Sequence, residues 1–91
     1  MKVEKSNRKN KRFVAIFDDG DKIHFGFKGG STYIDHKSKE KRKNYIARHE
    51  VNEKQFYNDP KRPATLSRFI LWGNATSLYQ AVKDYEKKFN V

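Results

Sequence analysis

There is no cysteine in this sequence, so neither a disulfide nor a thiolate-bound zinc ion is available to brace a fold. That absence suits a reducing compartment. No apolar run approaches the ~20 residues of a membrane span, and residues 1–12 lack the apolar stretch of a secretory signal. The expectation is a soluble chain that is not secreted and has no membrane partner. Acidic side chains are also scarce, 11 against 21 lysines and arginines, for a net charge of +10 on 91 residues. A chain this basic needs a polyanion beside it or repels itself, and nucleic acid is the commonest such partner.

The charge is placed rather than spread. Met1–Arg12 holds six basic residues and one acid, and Asp35–His49 holds six and two, which leaves the remainder near neutral. Seven Phe, five Tyr and one Trp supply bulk to a domain too short to bury a large core.

Residues 1–11 offer little to bury and read as a flexible basic arm, followed by a single domain over 12–91. Arg12–Phe17 and Lys22–Phe27 are β-branched and aromatic runs joined through Asp18-Asp19-Gly20-Asp21, a hairpin signal. With Asp19-Gly20 as a two-residue turn, Ala15 pairs with His24 and Val14 with Phe25. The core face is then Val14, Ile16, Ile23 and Phe25. The opposite face sets Phe13, Ala15 and Phe17 beside Lys22 and His24, and is either covered by a helix or open to stack bases. Gly26, Gly29 and Gly30 read as a tight connection needing positive φ. From Asp35, a plausible N-cap, the pattern is helical, with Tyr45, Ile46 and His49 on one face and Lys37, Lys41 and Arg48 on a second stripe. Lys37–Asn44 contains no apolar side chain, so those turns face solvent or a polyanion. A short apolar helix from Thr65 carries Leu66, Phe69 and Ile70 and stops at Gly73; a last helix opens at Ser77 and carries Leu78, Val82, Tyr85 and Phe89.

Catalytic chemistry has little to work with. Asp35 and the three histidines, His24, His36 and His49, are the only candidates for metal or acid–base work. On one continuous helix His36 and His49 would point about 140° apart. No nucleophile-elbow or triad pattern stands out. The expectation is therefore a non-enzymatic protein with no cofactor and no metal site.

Phe25-Gly26 with Gly29-Gly30, Tyr33-Ile34-Asp35-His36-Lys37, Arg42-Lys43, Tyr45-Ile46-Ala47-Arg48-His49 and Leu66–Gly73 together resemble a family of small uncharacterised proteins of large double-stranded DNA viruses of protists and algae, of the mimivirus and chlorella-virus kind. The resemblance covers residues 25–90 and leaves the arm and hairpin mostly outside. It implies a viral setting, a virion or the interior of an infected host cell, and no chemistry. Members commonly carry an acid soon after the His-Lys pair, where this chain has Ser38.

These readings converge on a small α+β domain, a β-hairpin followed by about three helices and preceded by a basic arm. Its expected function is largely sequence-independent nucleic-acid binding, DNA before RNA. The phosphate contacts are assigned to Lys2, Lys5, Arg8, Lys9, Lys11, Arg12, Lys37, Lys41, Arg42, Lys43 and Arg48. The alternative is a minor structural part of a virus particle, held by viral coat or core proteins through its aromatic-rich helical end.

Overall fold

The expected α+β order, strands first and helices after, is that of the computed structural model, which describes residues 1–91. Three strands, β1 (Lys2–Lys5), β2 (Lys11–Ile16) and β3 (Lys22–Phe27), form an antiparallel sheet in the order β1-β2-β3. There follow α1 (Tyr33–His36), α2 (Lys39–Glu53) and a 3₁₀ turn at Lys54–Phe56. Next, α3 (Pro63–Leu66) widens into a π-helical turn over Ser67–Leu71, and α4 (Leu78–Phe89) closes the chain.

Two expectations about the N-terminal third are corrected. Residues 2–5 are not part of a flexible arm: Val3 pairs with Ala15 and Lys5 with Phe13. The charges conceal a period of two, in which Met1 and Val3 lean on the core while Lys2 and Glu4 point outward. The hairpin register is also one residue off. Phe17 N–H donates to Asp21 O and Gly20 N–H to Phe17 O, so the loop is Asp18-Asp19-Gly20 with Gly20 at φ +94°. A three-residue loop that ends in a left-handed glycine is the next commonest hairpin solution. Adding one residue to the turn carries β2 onto its other face relative to β3. Phe13 therefore pairs with Phe25, and Ala15 with Ile23.

Phe13, Ala15, Phe17, Ile23 and Phe25 accordingly form the covered face, against Leu66, Ile70, Leu71, Ala81 and Tyr85. Val14 and Ile16 lie on the opposite face with Lys22 and His24. The wide turn after α3, closed by Trp72 N–H donating to Ser67 O at 3.0 Å, lets the adjacent Ile70 and Leu71 both be buried. Ser77 caps α4 by accepting from Gln80 N–H at 3.2 Å. On that helix Ala81 and Tyr85 are buried, and Leu78, Val82 and Phe89 pack beside them.

The expected single helix from Asp35 is broken in two. Thr32 is the N-cap of α1, and Asp35 sits three residues in, its carboxylate accepting from Thr32 N–H at 2.8 Å. Lys37 then turns left-handed at φ 55°, and Ser38 restarts the chain as the cap of α2 by accepting from Lys41 N–H.

Arg12 holds this junction to the sheet through two hydrogen bonds to the Asp35 carboxylate, at 2.6 and 2.7 Å. Those bonds, with the Thr32 donors, keep the Asp35 carboxyl well below the usual carboxylate range. A depressed carboxyl pKa adds stability above its unfolded value of about 3.9 and loses it as pH falls through the folded value. The melting temperature of the parent should exceed that of Asp35→Asn above about pH 5 and converge with it on acidification. A gap that persists unchanged at pH 2–3 would show that the carboxylate charge contributes nothing. Both side chains remain about one-third exposed, so the gap should be modest.

Candidate nucleic-acid interface

Outside the core, a groove of about 530 Å³ opens between one end of the β2–β3 hairpin, α2, α3 and Trp72. Its wall is a stack of half-buried rings. Tyr45 lies on Trp72 with centroids 4.2 Å apart and planes at 4°, and His49 lies on Tyr45 at 4.0 Å and 22°. The spacing of Tyr45 and His49, one helical turn apart on α2, makes the stack possible. The predicted Tyr45/His49 face is therefore a groove wall and not a sealed core face. Burial pushes the Tyr45 hydroxyl well above its ordinary range, with Glu53 adding to the effect.

The rim carries Lys11 from β2 and Arg48 from α2, with Phe27, 71% exposed, beside them. Of the three glycines that end the strand only Gly26 has positive φ, at +79°; the Phe27 ring lies over Gly29 and Gly30, whose smallness makes room for it. Glu53 is the one carboxylate in the groove, and His49 Nδ1 lies 3.2 Å from it.

Lys11 also lies close enough to the opposite face of the sheet for its charge to be felt there. There His24 is held below its usual imidazole range by desolvation and by Arg8, Lys11 and Lys22. Its Nδ1 lies 2.6 Å from Ser6 Oγ. Lys11 thus joins two basic neighbourhoods, Arg8 and Lys22 around His24 and Arg48 across the groove. Lys22 and Phe27 were absent from the phosphate-contact set drawn from the sequence. Lys22 is an isolated charge there, and nothing local distinguishes an exposed Phe27 from a core phenylalanine.

Of the residues assigned to phosphates, Lys2 and Lys5 are exposed on β1, and Arg8 and Lys9 on the loop after it. Lys37, Lys41 and Lys43 are exposed at the start of the helical half, but Lys37 lies outside α2, so the expected Lys37/Lys41/Arg48 stripe is reduced to its last two members. Arg12 and Arg42 already have partners within the fold. Arg42 Nε donates to the Trp72 and Gly73 carbonyls at 3.2 and 2.9 Å and Nη2 to Asn74 Oδ1 at 2.8 Å, which ties α2 to the turn before α4. The three histidines are dispersed: His24 on the sheet, His36 edge-on to Tyr33 and 5.3 Å from Trp72, His49 in the stack.

The profile of a family described as "Family of unknown function (DUF5754)" matches residues 1–49. The match takes in the first strand and the hairpin, which lie mostly outside the viral resemblance carried by residues 25–90. An uncharacterised protein of Acanthamoeba polyphaga mimivirus, L851, is 36% identical over 80 residues, covering 79% of this chain and 80% of that protein. No solved structure matches the chain.

Proposed function

Since this chain belongs to the family of unknown function DUF5754 and has a viral relative, neither of which supplies a chemistry, we propose from charge and geometry that it binds nucleic acid without enzymatic activity and largely without sequence preference. The observation that carries this reading is the aromatic groove whose rim holds Lys11 and Arg48 beside exposed Phe27. Aromatic faces stack any base, and basic rims follow a phosphate backbone. Lys11 extends the positive surface to Arg8 and Lys22, and Lys2, Lys5, Lys9, Lys41 and Lys43 add charge that has no carboxylate partner. The setting is the particle or interior of a cell infected by a large DNA virus.

The test is the salt dependence of affinity for duplex and single-stranded oligonucleotides. Every basic side chain withdrawn from a phosphate should flatten the log–log slope by about one unit, so Lys11→Ala with Arg48→Ala should flatten it by about two. Preference among sequences should not change, because phosphate contacts position without specifying. A weak, salt-insensitive affinity that the double substitution leaves unchanged would remove this reading. Neither side chain forms an ion pair, so the substitutions remove no salt bridge from the fold.

A second reading rests on a different surface. Met1, Val3, Leu78, Val82 and Tyr79, the last 72% exposed, line an apolar depression where β1 meets α4. Such a patch suits a coat or core protein of the particle. Under that reading Tyr79→Ser would abolish incorporation into particles while the Lys11/Arg48 substitutions leave it intact.

A further inference from the structure

Apart from the groove, and sharing no lining residue with it, three basic side chains from three elements border one small pocket. Arg42 comes from α2, Arg68 from the π-helical turn and Lys88 from α4; the pocket encloses about 200 Å³. The two guanidinium groups converge on a single acceptor, the Trp72 carbonyl, to which Arg42 Nε donates at 3.2 Å and Arg68 Nη1 at 3.1 Å. Two cations sharing one neutral acceptor repel each other unless an anion joins them. None of the three forms an ion pair with a carboxylate. The one acid on the pocket, Asp84, accepts instead from Gln80 Nε2 at 2.8 Å.

The Arg68 Nε–H carries the argument furthest. It is buried and donates to nothing. Buried donors in native proteins are nearly always satisfied, and one that is not asks for an acceptor supplied from outside the chain. The guanidinium lies 4.8 Å from the Phe69 ring centroid, with Lys88 Nζ 4.7 Å from the same centroid, so a single ring braces both cations. Burial and the neighbouring Arg42 both depress Arg68 below its ordinary value, the electrostatic cost that a bound anion would relieve.

We propose that this pocket is a binding site for a phosphate group, seated against Arg68 and Lys88 with an oxygen accepting from Arg68 Nε–H, while Arg42, whose donors are taken up within the fold, contributes charge alone. Phosphate is favoured over a carboxylate because its three or four oxygens can serve several donors at once. The fixed arginine fork matches that geometry, while lysine supplies point charge. The site is separate from the Lys11/Arg48 groove and does not depend on it. The phosphate comes either from a nucleic-acid backbone or from a small phosphorylated compound.

The test follows the Arg68 Nε–H resonance of the full-length protein by ¹H–¹⁵N NMR, titrated at constant ionic strength with inorganic phosphate and, separately, with a short oligothymidylate. Phosphate should move this resonance saturably, and chloride should not. Lys88→Gln, at an exposed position that does not threaten folding, leaves the Arg68 reporter in place and should weaken phosphate binding by roughly tenfold. If the oligothymidylate also moves the resonance and competes with phosphate, the source is a backbone. If it leaves the resonance in place while phosphate saturates, the ligand is a free phosphorylated compound. A shift that stays linear in phosphate, or an affinity that Lys88→Gln leaves untouched, would overturn the proposal, whatever the outcome of the salt-dependence test on the groove.

Discussion

Tyr85→Ala is expected to lower the free energy of unfolding by about 3–5 kcal/mol, the range for deleting a fully buried large aromatic. Tyr85 is 1% exposed, packs on Phe89 at 4.7 Å, and belongs to the cluster that joins α4 to the sheet. Its hydroxyl donates to Pro60 O at 2.6 Å, fastening the irregular 57–62 connection over the core. Burial raises that hydroxyl far above the usual phenol range, so it stays a donor across the accessible pH scale. Because a small domain is stable by only ~5–15 kcal/mol, the alanine variant should approach the unfolding threshold at ambient temperature. Tyr85→Phe separates the two contributions. It keeps the ring and removes the donor, and should cost about 1–3 kcal/mol for an acceptor left unpaired. Urea denaturation of the three proteins measures both differences, and an alanine variant within about 1 kcal/mol of the parent would mean that α4 is not docked as described.

Gly73→Ala is the second large effect. A Cβ added at Gly73 would stand 2.4 Å from Phe69 O and 3.2 Å from Phe69 C, both backbone atoms of the turn that bears Ile70 and Leu71. No side-chain rotation relieves a contact with backbone, so either the π-helical turn or the chain after it must shift. The shift also displaces the Gly73 carbonyl, to which Arg42 Nε donates at 2.9 Å, and so loosens α2. Overpacking of this kind costs ~1–3 kcal/mol or more. The two effects should appear together: a lower melting temperature and loss of hydrogen-exchange protection in α2 as well as in residues 67–72. A Gly73→Ala protein with parental melting temperature and unchanged α2 protection would show that the tight approach is dispensable. Trp72 is half-buried and should be the milder site, since much of its contact is the stack with Tyr45.

The contrast between Tyr85 and Trp72 shows what local pattern conveys. Tyr85 lies on a regular stripe with Leu78, Val82 and Phe89, and a 3.6-residue period states which face is buried wherever the partner is. Trp72 follows a π-helical turn, where the period changes and adjacent residues can face the same way. Period-based reasoning therefore reads α4 correctly and does not carry through the turn to Trp72, which is half-buried. The N-terminal segment fails for a related reason. Four residues at an edge, with Lys2 and Glu4 outward, carry too few apolar positions for alternation to stand out from a basic tail.

Local sequence was enough for the α+β order, the existence of the hairpin, the cap at Ser77, a helix beginning near Thr65, the apolar stripe of α4 and the two blocks of positive charge. Each of these depends on residues within a turn or two of one another, so propensity and charge count suffice. Which hairpin face is inside was settled only by the packed fold, because one extra residue in the Asp18–Gly20 loop reverses every side chain of β2 relative to β3. Packing also settled which arginines are free. Arg12 finds Asp35, 23 residues away, and Arg42 finds carbonyls 30 and 31 residues away, distances over which sequence spacing carries no geometry. Lys11 meets Arg48 at one groove, and Arg42 meets Arg68 at one carbonyl, only because the sheet and helices close a common core between them. Charge is a property of the chain, but a site requires charges to converge, and convergence comes from packing.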